Sequence, residues 1–147
     1  MERKARVIID TGVVISGFVF GGIPKEALLQ VLKKAEVWIS PDILNEYRQA
    51  PVELQEEGKI SRGQLRVLIA GLATLLMDAG IIYPQRLISV CRDAEDNILL
   101  DACLAAKADY LITGDKDLLD IDSNSLKSVG LKKLKILSPR DFVSQFK

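Results

Sequence analysis

The chain has 147 residues, 48% of them hydrophobic and 27% charged, with 20 basic and 20 acidic side chains. This composition is typical of one folded domain, expected here over residues 1–147, and it excludes a disordered, collagen-like or disulfide-stapled chain. The absence of histidine excludes a Ser-His-Asp triad, a Cys-His pair and the histidine-dependent zinc enzymes. Any chemistry must therefore use carboxylates, hydroxyls, amides, lysine and arginine.

The amino-terminal residues and the cysteines indicate the compartment. A basic start leads into an apolar stretch that imitates a secretory signal, but Asp10 interrupts the stretch and no Ala-x-Ala cleavage site follows. The longest apolar run, residues 67–77, is too short to span a bilayer. Cys91 and Cys103 form no Cys-x-x-Cys motif, which fits reduced thiols. We expect a cytoplasmic protein that does not associate with membranes.

Short β-prone apolar runs alternate with helical segments along the chain. The predicted strands are residues 5–9, 37–39, 81–83, 110–113 and 134–137. Predicted helices cover residues 24–34, 42–50, 66–79 and 94–108, with a last one after Ser138-Pro139. Serine caps with a following proline or glutamine mark three of the helix starts. The alternation predicts a three-layer α/β/α domain with a central parallel sheet of about five strands.

Acidic residues concentrate in one part of the chain. Residues 93–122 contain nine acidic and two basic side chains, although a charge run alone most often marks a solvated surface. The helix from Asp96 covers about 18 Å and the return to Asp115 covers about 20 Å, so both acids should reach the same edge of the sheet. Asp10 ends the first strand at that edge. Open α/β sheets bind their ligands there.

A fourth carboxylate, Glu46, lies about one and a half turns into the helix after the second strand. Taken alone, this position is more simply a surface residue paired with Arg48 or with solvent. Converging carboxylates repel one another unless a cation neutralises them. An all-oxygen site favours Mg²⁺ or Mn²⁺ over zinc, and such a metal can activate water for attack on a phosphodiester.

Four segments, in this order and at these intervals, resemble the PIN-domain ribonucleases. They read VIIDTGVVIS from Val7, SPDILNE from Ser40, DAEDNILLDA from Asp93 and YLITGDKDLL from Tyr110. The chain is most similar to the VapC-like toxin components of type II toxin–antitoxin pairs, from about Arg6 to Phe142. The resemblance implies a metal-dependent endoribonuclease that cleaves single-stranded RNA, with four catalytic acids: Asp10, Glu46, Asp96 and Asp115.

The same resemblance implies roles for neighbouring side chains. The metal ligands would be Asp10, Asp96 and Asp115, with Asp117 as an auxiliary acid. Thr113 would hydrogen-bond within the site, and Asn97 and Asp93 would flank the third acid, although Asp93 is more simply a helix cap. Asp101 lies about 140° around the helix from Asp96 and receives no role. Gly12 stands where the family usually has asparagine, so an amide that could orient Asp10 is absent.

The partners expected from sequence are RNA, a cognate antitoxin and a second copy of the chain. RNA contact is expected through basic side chains near the acids, foremost Arg48, Arg92 and Lys116, with Lys25, Arg62 and Arg66 as further candidates. Residues 64–79 carry only two charges, which suits a core helix or a homodimer face. The antitoxin is implied by the resemblance alone.

Two other functions stay open. A haloacid-dehalogenase-like phosphatase would explain Asp10 at the end of a strand and the acids after Gly114, but it requires a second aspartate where Gly12 stands. A catalytically inert domain that binds a cation or a protein is the second alternative, and Gly12 is the feature that favours it.

Overall fold

The protein is described by a computed structural model that covers residues 3–146. Five parallel strands form one sheet in the order β3-β2-β1-β4-β5. Their bounds are β1 Ala5–Ile9, β2 Ala35–Ile39, β3 Gly80–Ile81, β4 Tyr110–Ile112 and β5 Lys135–Leu137. Helices flank the sheet, which confirms the predicted three-layer α/β/α architecture.

Within residues 3–146, eight α-helices and one π-helical turn connect the strands. They are α1 Thr11–Ile15, the π-helical turn Ser16–Phe20, α2 Gly22–Lys34, α3 Pro41–Glu56, α4 Arg62–Leu76, α5 Ala94–Ala106, α6 Lys116–Leu119, α7 Ser123–Ser128 and α8 Pro139–Gln145. None of the helices in this part of the chain could cross a membrane alone. The stretches Thr11–Phe20 and Gly22–Lys34 reach the required length and apolarity only together, across a bend of 108°.

Strand order reverses beside β1. The chain passes from β1 to β2 and β3 on one side, then crosses to β4 and β5 on the other. Val7 is accordingly in register with Val37 of β2 and with Tyr110 of β4. Ligand sites of open α/β sheets lie at such a reversal, beyond the carboxyl ends of the strands. The Asp10 amide, which donates to the Ile112 carbonyl at 2.9 Å, lies at this point.

The sheet is buried on both faces, which explains the continuous apolar runs in its strands. Val7, Ile8 and Ile9 of β1 have no exposed surface, nor do Leu111 and Ile112 of β4. Helix α5 packs on β1 and buries a run that includes Leu100, Ala102, Cys103 and Ala106. Both the central strands and this helix therefore present their ends, rather than their faces, to solvent.

Three local features differ from the sequence prediction. Residues 11–20 are helical, whereas their β-branched and glycine-rich sequence gave no helix signal. Strand β3 is Gly80–Ile81 instead of residues 81–83; it begins at Gly80, which lies against the Trp38 indole, where a Cβ would approach ring carbons to 2.6 Å. Helix α3 continues through the buried Pro51 to Glu56, well beyond the predicted end at Ala50.

Candidate active site

The ends of β1 and β4 are joined by a hydrogen-bonded pair of side chains. The Thr113 hydroxyl donates to Oδ2 of Asp10 at 2.7 Å and accepts the Asp115 amide at 3.0 Å. Thr113 is fully buried and Asp10 is partly buried. Burial raises the pKa of Asp10, the Thr113 hydrogen bond opposes that rise, and the negative charge of Asp115 adds to it. Thr113 thus fixes both the carboxylate of Asp10 and the backbone of Asp115.

Three carboxylates gather beside this pair. Asp96, Asp115 and Asp117 each place an oxygen within 4.8 Å of the others, which suits a shared cation. Asp96 is in the first turn of α5 and is 6% exposed. Asp115 caps α6, because its Oδ1 accepts the Asp117 amide at 2.9 Å. Two chain segments separated by a whole helix and strand therefore meet at one point, the convergence that the lengths of α5 and β4 predict.

The three acids sit in an unfavourable electrostatic environment. Burial, followed by the charge of Asp115, raises the pKa of Asp96 to about 7 from its ordinary value of 3.8. The ion pairs among residues 3–146 are Arg3–Asp109, Lys59–Glu57 and Arg86–Asp42, and none involves these acids. A cluster of carboxylates that forms no ion pair with a lysine or arginine is stabilised when a bound cation supplies the missing charge.

Asp10 and Glu46 lie outside the three-acid group, and only Asp10 interacts electrostatically with its members. The charge of Asp10 contributes to the raised pKa of Asp96, and the charge of Asp115 to that of Asp10. Glu46 is exposed, and its pKa is raised by partial burial and then by Glu95, Asp10 and Asp93, with the Thr11 side chain opposing the rise. Glu46 is therefore exposed and close enough to Asp10 and to the start of α5 for their charges to affect its pKa.

The residues expected to flank Asp96 act on the backbone. Asp93 caps α5 by accepting the Glu95 amide at 2.9 Å. Asn97 accepts the Cys91 amide at 2.9 Å and donates to the Cys91 carbonyl at 3.2 Å. Neither belongs to the three-acid group. Both instead fix the chain where it enters α5.

Sequence reasoning missed the function of one buried acid. Oδ1 of Asp101 accepts the amides of Leu87 and Ile88 at 3.0 and 2.9 Å, and the residue is only 6% exposed. No sequence pattern identifies backbone amides of an irregular segment as partners. The only available signal was a charged residue in the apolar run of α5, where burial without a partner is costly.

The basic residues proposed for RNA contact lie on the surface. Arg48, Arg92 and Lys116 are exposed and belong to none of the ion pairs described above. Lys116 lies between two of the clustered acids in sequence, and Arg92 directly precedes the cap of α5. Their charges are therefore available to an anionic ligand.

A cleft of about 330 Å³ opens beside the acids. Its walls are Asp10, Gly12, Val13, Ser16, Pro24, Gly114, Asp115 and Pro139. Gly12 is exposed at its mouth, and a Cβ built there meets nothing within 4 Å. The missing asparagine therefore leaves open space, and no other side chain fills its position.

The donor set fits Mg²⁺ or Mn²⁺. Both ions take carboxylate oxygens and retain several waters, so three acids with an open, solvated side suffice. Histidine is absent from the sequence, and the Cys103 thiol is fully buried. Burial first, and then the charges of Asp96 and Asp115, raise the pKa of Cys91, which disfavours the thiolate that a softer metal would bind.

Comparisons with known proteins agree with this geometry. The PIN-domain family model matches residues 6–117. The chain is also 32% identical over 152 aligned positions to the uncharacterized protein MJ1680 of Methanocaldococcus jannaschii, covering 99% of this chain and 95% of that one. The chain therefore belongs to the PIN-domain family, as its motifs predict. PIN domains are generally nucleases.

A solved structure shows the same fold. The crystal structure of VapBC2 from Rickettsia felis bound to a DNA fragment from their promoter contains a chain that superposes with a TM-score of 0.55. The sequences are 14% identical, and the match covers 89% of this chain and 98% of the other. At this identity the likeness establishes the common fold.

Proposed function

We propose that the protein is a Mg²⁺- or Mn²⁺-dependent endoribonuclease that cleaves single-stranded RNA. The observation that carries the proposal is the group Asp96, Asp115 and Asp117, whose carboxylate oxygens lie within 4.8 Å of one another and form no ion pair with a lysine or arginine among residues 3–146. Membership of a generally nucleolytic family supports phosphodiester hydrolysis as the reaction.

The proposed role of each acidic residue follows from its position and its exposure. Asp96, Asp115 and Asp117 hold the divalent ion, and Asp10, fixed by Thr113, completes its surroundings. When bound, that ion supplies positive charge for the scissile phosphate and lowers the pKa of water. Exposed Glu46, whose own pKa is raised, is placed to accept a proton from the attacking water at its carboxylate.

Electrostatics limit how RNA approaches the site. The acids repel phosphate until the ion binds, so metal binding should precede productive RNA binding. Exposed Arg48, Arg92 and Lys116 then supply the surrounding positive charge for the backbone. Few aromatic side chains are available for stacking, since the chain has four phenylalanines, three tyrosines and one tryptophan. With so few aromatic side chains, we expect the protein to recognise the shape of single-stranded RNA rather than to stack on its bases.

We further propose that the protein is the toxin of a toxin–antitoxin pair. The fold shared with a chain of VapBC2 supports an antitoxin partner. An apolar groove of about 330 Å³ between α3 and α4 offers a surface for a protein partner or for a homodimer; it is lined by Leu44, Tyr47, Arg48, Pro51, Val52, Leu65, Ile69, Leu72 and Leu76. Light scattering of the purified chain would show a mass of two copies if the homodimer forms, and one copy would contradict it.

The decisive experiment compares metal-dependent cleavage in matched variants. Single-stranded RNA and a generic phosphomonoester are each incubated with Mg²⁺, Mn²⁺ or a chelator. Wild type should cleave RNA internally with either metal and not with chelator, and Asp96→Asn should lower kcat by about 10²-fold or more. Asp120→Asn, an exposed acid at the end of α6 outside the three-acid group, is the control and should retain activity.

The other outcomes identify the rival functions. Phosphomonoester turnover through a trapped aspartyl phosphate would replace the nuclease with the phosphatase. Tight Mn²⁺ binding without cleavage of any RNA would leave an inert cation-binding domain. Cleavage that persists in chelator or in Asp96→Asn would contradict the proposed site.

A further inference from the structure

The longest irregular connection runs between β3 and α5, and we refer to residues 82–92 as the β3–α5 segment. Connections of this length without helix or strand are usually functional or held by specific contacts. This one joins the sheet to the helix that carries Asp96. Its last residues also lie beside the acids, since the charges of Asp96 and Asp115 reach the Cys91 thiol.

Side chains of two helices hold the β3–α5 segment at three successive points. Arg86 pairs with Asp42, at 3.1 Å to Oδ2, in the first turn of α3. Leu87 and Ile88 donate their amides to Asp101 of α5. Asn97 of α5 then binds both the amide and the carbonyl of Cys91.

The Asp101 contact is the central and least exposed of the three. Arg86 adopts a positive φ of 58°, and the two amides that follow it converge on a single carboxylate oxygen. Ile88 is 6% exposed and packs into the core at the same place. One carboxylate oxygen is the acceptor in both hydrogen bonds, and removing it would leave the Ile88 amide buried without a partner.

We propose that Asp101 is a positioning residue of the active site, which holds the β3–α5 segment on α5 and thereby fixes Asp96 and the chain beside it. This inference rests on the proposed function. The hydrogen bonds fix where the segment crosses α5, so that Asp93 caps the helix and Cys91 remains beside the acids. Asp101 touches neither the acids nor the cleft beside Asp10. Its effect passes through the backbone of the segment.

The two cysteines provide a readout of this contact that is independent of catalysis. Cys103 has no exposed surface, whereas Cys91 lies in the β3–α5 segment and is partly exposed. In native protein the rate of maleimide labelling therefore reports the position of Cys91. Release of the segment in Asp101→Ala should raise this rate by about tenfold or more.

The experiment compares four proteins in labelling, Mn²⁺ titration calorimetry and RNA cleavage. Asp101→Ala should weaken Mn²⁺ binding and lower kcat by about 10–100-fold, the usual effect of removing a group that orients a ligand. Asp101→Asn keeps an oxygen acceptor and should restore labelling, affinity and kcat to within about threefold of wild type. Asp78→Ala, at an exposed acid whose side chain makes no hydrogen bond within residues 3–146, is the matched control.

A second variant covers the case in which Asp101→Ala does not fold. Asn97→Ala releases only the Cys91 contact at the partly buried end of the segment, and should raise labelling and lower Mn²⁺ affinity in the same direction. Unchanged labelling and affinity in a folded variant would overturn the inference while the nuclease stands. Wild type that neither binds Mn²⁺ nor cleaves RNA would overturn both.

Discussion

The hydroxyl of Tyr47 donates a hydrogen bond to the main-chain carbonyl of Ile9. Its ring is 1% exposed, and burial raises the pKa of Tyr47, so the hydroxyl stays a donor. Asp10 follows Ile9, and Glu46 precedes Tyr47. The hydrogen bond between Tyr47 and Ile9 therefore fixes α3 relative to the end of β1. It thereby also fixes Glu46 relative to Asp10.

Replacing that hydroxyl tests its structural contribution. Tyr47→Phe keeps the ring but removes the donor from a buried carbonyl, so we expect the free energy of unfolding to fall by about 1–3 kcal/mol. Urea unfolding measures the change. Tyr83→Phe removes a hydroxyl from a side chain that is 76% exposed and should stay within about 0.5 kcal/mol of wild type. Equal losses in both variants would show that the Ile9 contact contributes nothing specific.

The Thr113 hydroxyl should matter more for activity than for folding. Thr113→Val fills the same buried space but removes the donor to Asp10 and the acceptor for the Asp115 amide. We expect kcat for RNA cleavage to fall by about 10–100-fold. Thr113→Ser keeps the hydroxyl and should recover most of the activity, and circular dichroism should show that both variants fold. A fully active valine variant would remove Thr113 from the mechanism.

The raised pKa of Asp96 predicts how stability depends on pH without metal. Its pKa is about 7 when folded and near 3.8 when unfolded, so the folded state retains a proton that the unfolded state has lost in that window. The free energy of unfolding should therefore fall as pH rises from about 4 to about 7, then level. Added Mg²⁺ binds the ionised form, so its increase in Tm should be larger at about pH 8 than at about pH 6.

Asp96→Asn tests whether burial and the charge of Asp115 destabilise the ionised Asp96, because it removes the negative charge from this position. With chelator at about pH 8, losing this buried charge should raise the free energy of unfolding by about 1–3 kcal/mol. The Tm increase produced by Mg²⁺ should disappear in the variant, as calorimetry would show, whereas Asp120→Asn should retain it. An Asp96→Asn protein that is less stable than wild type in chelator would contradict the electrostatic account.

Two helical glycines should respond oppositely to alanine. A Cβ at Gly12 meets nothing within 4 Å, so Gly12→Ala should raise the free energy of unfolding by about 0.5–1 kcal/mol through helix propensity. A Cβ at Gly71 would lie 2.5 Å from the Phe18 ring, so Gly71→Ala should destabilise the protein. Thermal unfolding measures both. Gly12→Asn should fit equally well, and Mn²⁺ affinity should not fall.

The central sheet was predictable because the local strand propensity of its residues agrees with their burial in the folded protein. Residues 5–9 form a strand both because they are apolar and β-prone apart from Arg6 and because Val7, Ile8 and Ile9 are fully buried. The helix at residues 11–15 was not predictable, because Val13 and Val14 favour strands locally and become helical through packing in the core. Similarly, β3 depends on one glycine that fits against Trp38 from another strand, a contact that no local pattern encodes.

The candidate site likewise contains residues that could be predicted from the sequence and residues that could not. Asp10, Asp96 and Asp115 were found because strand ends and helix lengths place them at one edge of a parallel sheet. Hydrogen bonds to backbone groups could not be found in this way. The partners of Asp101 and Asn97 lie in an irregular segment whose course depends on the tertiary structure. Strand ends and helix lengths therefore identify acids at the edge of the sheet but not Asp101, whose partners are the backbone amides of Leu87 and Ile88.

The protonated thiol of Cys91 beside the acids also affects which metals can compete for the site. Thiolate and imidazole give zinc and copper their advantage over magnesium in proteins. Here histidine is missing altogether, and burial, followed by the charges of the neighbouring carboxylates, raises the pKa of the nearby Cys91 thiol. The site therefore offers a carboxylate-oxygen donor set without imidazole, and that donor set favours hard ions such as Mg²⁺ and Mn²⁺ over zinc and copper.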